Sequence, residues 1–279
     1  MLDRIIHNYA EFAAGLTHEE RVHINVNTVK MAEYVSELIK QKGGDLSSLE
    51  LHQFPTNDAW CRDHGPCFLV RDQKVDSLIL LDWEYNAWGQ KYPPFDLDNA
   101  IPAQVANFLA IPSIRPGIIM EGGAIETNGQ GVLMTTKACL LNPNRNPHLN
   151  QSQIEGYLER FYGANQILWL GDGLAGDDTD GHIDDMTRFV SARTIISALE
   201  NNSKDENYKA LQEKLDRIAR SEPVMENEKV IAYQQADEGF KKLPSDYTVL
   251  ICPEGTRSED FTLQPLKKGI VHLSYQCDL

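Results

Sequence analysis

Apolar residues recur at helical spacing over residues 2–14, and Arg21-Val22-His23-Ile24-Asn25-Val26-Asn27 then alternates as a half-buried strand does. From there one order of elements returns. The first round predicts a helix over 28–42, a strand from Leu49 to Phe54, a polar loop holding Trp60, Arg62 and Asp63, and strands over Pro66–Val70 and Val75–Leu81. The second has a helix around 98–110, a strand over 113–119, a loop with Glu121-Gly122-Gly123, and two short strands ending near Thr136. The third has a helix over 151–162, the strand Gln166–Leu170, a glycine- and aspartate-rich loop, and strands over 185–190 and 193–199. A charged helix over 205–220 and the strand Lys229–Gln234 open a fourth. Helices and strands in alternation give an α/β fold class.

Asp63, Glu121 and His182 fall at matching places in these rounds, 58 and 61 residues apart. That period suits a unit of one helix and three strands, and such units set in a ring would bring each loop to one central site. The same spacing is also compatible with ordinary α/β alternation in accidental register. A further 61 residues reach Leu243, in Leu243-Pro244-Ser245-Asp246-Tyr247, so a fourth loop is expected there; a fifth would lie near 304, beyond the 279 residues of the chain.

The third loop, Gly176-Asp177-Asp178-Thr179-Asp180-Gly181-His182-Ile183-Asp184-Asp185, holds five aspartates, two glycines and a histidine. On an extended chain His182 and Asp184 would share a face, setting an acid/base group beside a fixed negative charge. A solvated acidic turn with an incidental histidine fits the same residues. Asn57-Asp58-Ala59-Trp60-Cys61-Arg62-Asp63 adds an indole, a guanidinium and two carboxylates. A carboxylate can grip a planar guanidinium through paired charge-assisted hydrogen bonds, and an indole can cover its face. Glu121, ahead of two glycines, could orient a histidine or bind a substrate N–H. Together these residues suggest a site for a small cationic guanidino substrate.

Composition narrows the class. Twenty-six basic residues against 41 acidic ones leave a net charge of −15, which argues against nucleic-acid or anionic-membrane partners. The N-terminus lacks a signal-peptide pattern, and nowhere do 18 apolar residues run together, so a cytoplasmic setting is expected. Cysteines at 61, 67, 139, 252 and 277 form no CxxC pair, which predicts reduced thiols and no structural zinc. A homo-oligomer is compatible with the sequence.

Asn57-Asp58-x-Trp60-x-Arg62-Asp63-x-Gly65-Pro66, Glu121-Gly122-Gly123, Leu140-Leu141-Asn142-Pro143-Asn144-Arg145-Asn146-Pro147 and Gly176 to Asp184 stand in an order that closely resembles agmatine deiminases. These group with the Porphyromonas-type peptidyl-arginine deiminases in the guanidino-modifying superfamily, and the resemblance covers about residues 1–247. It implies a β/α propeller (pentein) of five repeated helix-plus-three-strand modules, here incomplete, without the fifth module and the opening strand. It also implies hydrolysis of agmatine to N-carbamoylputrescine and ammonia, with no metal or organic cofactor. A cysteine thiolate attacks the guanidinium carbon and water releases the adduct. By motif position, Trp60 walls the pocket, Asp63 and Asp184 bind the guanidinium, Glu121 contacts the substrate or orients the histidine, and His182 is the acid/base.

The family's nucleophile sits in a Gly-rich segment ending His-Cys, and no histidine of this chain is followed by cysteine. Impaired activity is therefore expected, and an inactive guanidinium- or amine-binding protein or a peptidyl-arginine deiminase are the competing readings. Residues 248–279 read as a foreign or fragmentary tail. Val249 to Ser258 with Leu266 to Ile270 resembles the phosphate-binding segment of lysophosphatidate-type acyltransferases, but no histidine has aspartate five positions on, as those enzymes need.

Overall fold

The computed structural model describes residues 2–70, 78–192, 194–220 and 229–233. The fourth loop expected at Leu243 and the segment read as resembling an acyltransferase lie outside the described residues. Among the described residues no helix is long and apolar enough to cross a membrane. The chain divides into two compact units: one runs to Ala87 and again from Tyr92 to Gly117, and the other takes Trp88–Lys91 and continues from Ile118.

The first unit opens with α1 (Leu2–Leu16), β1 (Val22–Asn25), α2 (Val29–Gln41) and β2 (Leu49–His52). Thr28 caps α2 by accepting the Met31 N–H, which satisfies one of the donors a helix start leaves bare. β1 and β2 pair in parallel. Next come β3 (Cys67–Val70) and β4 (Leu78–Leu81), then α3 (Ile101–Leu109), with proline in its first turn, and β5 (Ser113–Ile114). β3 and β4 are antiparallel and β4 and β5 parallel. Leu80 and Leu81 of β4 are fully buried, as is Ile101 of α3, which packs on that strand.

The second unit repeats this topology twice. β6 (Ile125–Thr127) and β7 (Val132–Thr136) form an antiparallel pair joined in parallel by β8 (Gln166–Leu170). β9 (Thr187–Ser191) and β10 (Thr194–Ala198) do the same with β11 (Lys229–Tyr233). Before β8 lies α4 (Gln151–Tyr162), opened by a capping box between Asn150 and Gln153; α5 (Tyr208–Arg220) precedes β11 and packs on β8. Val132, Met134, Leu168, Leu170, Ile195 and Ile218 form one core from both sheets and α5. Five of these are strand residues alternating toward the helix side, which explains the half-apolar pattern of the strands.

Two expectations change. The strand predicted over 113–119 shrinks to Ser113–Ile114, because Pro116 has no N–H for a ladder and Gly117 turns at φ 80°. The loop after Trp60 closes into one helical turn, Cys61–His64, whose end requires Gly65: a side chain there would meet the Cys61 carbonyl at 2.3 Å. Cys61 is exposed on that turn.

Candidate functional site

Asp63, Glu121 and His182 precede the first residue of their hairpins, Cys67, Ile125 and Thr187, by four, four and five positions. The equivalence inferred from spacing therefore holds in the structure. Each stands where the chain enters a new sheet, a loop position held by the scaffold beside it.

In the second unit Glu121, His182 and Asp184 come together. Glu121 is fully buried and His182 is 2% exposed. His182 Nε2 lies 4.0 Å from Glu121 Oε2, and its Nδ1 lies 3.9 Å from Asp184 Oδ1. Positive charge gained by the imidazole would thus meet a carboxylate on either side, in a place with little water to screen it. The extended chain expected between His182 and Asp184 is not found. Ile183 is buried in the core, and its carbonyl accepts the Met186 and Thr187 N–H groups, so the segment is a turn. The two side chains still neighbour each other, because anchoring Ile183 inward leaves both flanking residues on the other side of the turn.

Upstream, Asp177 accepts the N–H groups of Thr179 and Gly181 at 2.7 Å, and Gly181 packs on Gly173. A side chain on Gly181 would meet the Gly173 Cα at 2.8 Å, and its φ is 99°, so glycine is required on both counts. The Gly181 carbonyl also accepts the buried Thr136 hydroxyl. These contacts hold His182 in place before any substrate arrives.

The residue that sequence reasoning missed is Arg145, although it sits inside the quoted Leu140–Pro147 motif. Its guanidinium has no solvent exposure and donates from Nε to Glu121 Oε1 at 2.6 Å. It also reaches Asp180 Oδ2 at 2.5 Å, Asn144 Oδ1 at 2.8 Å and the Thr179 carbonyl at 2.8 Å. Desolvation opposes its charge, but Glu121, Cys139 and Asp180 outweigh that, and the pKa is raised. Asp180 is opposed by desolvation in turn, yet bonds from Lys91, Asn144 and Arg145 lower its pKa. Asp180 itself adopts φ 65°. Cys139, also unassigned from sequence, is fully buried with Sγ 3.8 Å from Glu121 Oε2. Glu121, Cys139 and His182 could offer three metal donors. The buried Arg145 charge on the same carboxylate opposes a cation there.

Trp60 and Asp63 belong to the first unit, where Asp63 is buried and Trp60 half-buried. Their loop is organised by Asp98, which is 1% exposed and whose Oδ1 accepts the N–H groups of Asn57 at 2.7 Å and Asp58 at 3.2 Å. Asn57 Oδ1 accepts the Leu97 N–H in return. His64 Nε2 lies 3.9 Å from the same Asp98 oxygen, and burial lowers its pKa against the pull of Asp98 and Asp63.

Residues 1–252 match the family model of Porphyromonas-type peptidyl-arginine deiminase. The chain belongs to that family. The agmatine deiminase of Pseudomonas syringae pv. tomato is 38% identical over 169 residues, 59% of this chain and 45% of that protein. Among solved structures, C. jejuni agmatine deiminase with substrate bound superposes with a TM-score of 0.72 at 33% identity, covering 83% of this chain and 65% of that one. Agmatine deiminase of Enterococcus faecalis superposes with 0.71 at 26% identity, over 80% and 60%. The chain spans about half the length of the curated relatives it matches. The family match extends past Tyr247, where the resemblance read from motifs stops.

Proposed function

We propose that this chain carries an agmatine deiminase-type site, with turnover by these 279 residues impaired because none of their histidines is followed by the cysteine of the family's nucleophile motif. The observation that supports the reading is the buried His182 imidazole with Glu121 at 4.0 Å and Asp184 at 3.9 Å, in a chain of this family. In this reading Asp184 binds the guanidinium. Glu121, neutralised by Arg145, contacts the substrate or orients His182. His182 gives a proton to the departing ammonia and takes one from the incoming water.

The complete reaction converts agmatine and water to N-carbamoylputrescine and ammonia. A thiolate forms a C–S bond to the guanidinium carbon, the C–N bond breaks with its electron pair leaving on the protonated nitrogen, and water then displaces sulfur. Cys139 is the described thiol beside the cluster, as fully buried as Glu121 and with Sγ 3.8 Å from that carboxylate. We assign it no nucleophilic role. The second reading is a guanidinium- or amine-binding protein without turnover. The family model's description favours peptidyl-arginine as an alternative substrate, whereas the named relatives favour agmatine.

Incubation with agmatine and with a peptidyl-arginine substrate, assayed for ammonia and ureido product, tests the reading. Slow agmatine turnover abolished by His182→Ala supports an impaired deiminase. Binding without product supports the second reading, and preference for the peptide the third. Rapid turnover abolished by Cys139→Ser would overturn the account of the thiol.

A further inference from the structure

On the β1–β2 pair of the first unit, the register sets His23 opposite Glu50 and Asn25 opposite His52. Strand alternation puts His23, Glu50 and His52 on one face, with Val22, Ile24, Leu49 and Leu51 on the other. His23 Nδ1 lies 2.8 Å from His52 Nε2. The rings are within 5° of parallel with centroids 5.1 Å apart, which is what two rings lying edge to edge give when their nitrogens meet. The two nitrogens therefore face each other along a shared proton. Glu50 Oε2 lies 3.7 Å from the same His23 nitrogen, while its Oε1 is held by Arg21 at 2.8 Å.

We propose that His23, His52 and Glu50 form a binding site for a borderline divalent transition cation of the zinc class. Each residue offers one donor atom, and the three atoms lie within 4.8 Å of one another. A tetrahedral ion with bonds of about 2.0–2.1 Å sets its donors about 3.3 Å apart. Two of the separations, 2.8 and 3.7 Å, bracket that value and all three lie within 4.8 Å, so the ion is seated to one side of the nitrogen–nitrogen line once the two imidazoles turn toward it and give up their shared proton. Two imidazoles and one carboxylate select zinc, copper, nickel or cobalt rather than magnesium or calcium.

The surroundings fix the donors as an outer shell does. His52 is braced by Phe54, with centroids at 5.2 Å, and by Phe108 edge-on at 4.5 Å. Arg21 restrains one carboxylate oxygen and leaves the other toward His23. Unlike Arg145 beside Glu121, Arg21 has a side chain 68% exposed, so solvent screens its charge from an incoming ion. The exposed His23 leaves room for a water as the fourth ligand. A bound ion would tie together a two-stranded sheet, an element with little stability of its own.

The test is titration of Co2+ into the full 279-residue chain at pH 7.5, followed by visible absorption, with Zn2+ as competitor. About one equivalent should give tetrahedral bands without a thiolate charge-transfer band. Binding should be lost in His23→Ala and in His52→Ala and retained in Cys139→Ser, and Zn2+ should displace the cobalt. Circular dichroism checks folding; should His52→Ala not fold, His23→Ala, at an exposed position, decides alone. No binding by the unaltered chain, a thiolate band lost in Cys139→Ser, or binding that survives His23→Ala would each overturn the proposal.

Discussion

Arg145→Met takes the cation away from a carboxylate that has no solvent. Glu121 would keep the Cys139 thiol at 3.8 Å and the His182 nitrogen at 4.0 Å, both beyond a good hydrogen bond for its charge. Asp180 would lose one of its two close cations while keeping Lys91 at 2.6 Å. Breaking a buried pair from one side costs about 3–5 kcal/mol, because the surviving charge has nothing to replace its hydration. For a domain of this size, with about 2–4 °C per kcal/mol, the melting temperature should fall by about 6–20 °C. Urea denaturation of the wild type, Arg145→Met, Glu121→Gln and the double variant measures the coupling directly. The double variant should be more stable than the sum of the single losses predicts, by about 2 kcal/mol or more, since removing the carboxylate's charge removes the orphan. A single-variant loss below about 1 kcal/mol, or strictly additive losses, would refute the claim that this pair holds the site together.

Two further outcomes follow from the same loop. Lys214 is fully buried, donates to the Asp172 carbonyl, and has a pKa pulled down to about 8 by burial, against the opposing pull of Asp172, Glu213 and Asp177. Below pH 8 both folded and unfolded chains carry the proton and folding bears the desolvation cost. Between 8 and the ordinary 10.5 the unfolded chain binds more proton, so stability should rise with pH by about 3 kcal/mol, and that rise should vanish in Lys214→Met, as read from urea midpoints across the range. Gly181→Ala places a side chain against Gly173 at positive φ and should cost about 1–3 kcal/mol. Agmatine affinity should fall with it, because the next residue is His182; unchanged affinity by calorimetry would show that the Gly173–Gly181 contact does not position the imidazole.

The strands and their order along the chain were legible in the sequence because apolar runs of strand length are bounded by turn formers. The equivalence of Asp63, Glu121 and His182 was legible for the same reason, since a residue four or five places before a strand keeps its register through every repeat. Arg145 was not. Its partner Glu121 lies 24 positions away, and no periodicity links an arginine in a turn to a carboxylate in another loop. Cys139 was hidden likewise, its role beside Glu121 set by the turn at Thr136, whose hydroxyl accepts the Cys139 N–H. The His182–Asp184 neighbourhood was anticipated through the wrong conformation. Burial of Ile183 decided it, and a single apolar residue among aspartates says nothing alone about which core it enters. The short β5 could have been read from Pro116, a residue that stops a ladder wherever it falls.

The most direct measurement is calorimetric titration of agmatine into the wild type and into Asp184→Asn. The account predicts binding to the wild type that weakens by about 10- to 150-fold in the variant, the loss of roughly one charge-assisted contact of 1.5–3 kcal/mol. No binding by the wild type, or equal binding by both proteins, would contradict a guanidinium site built on the His182–Asp184 turn.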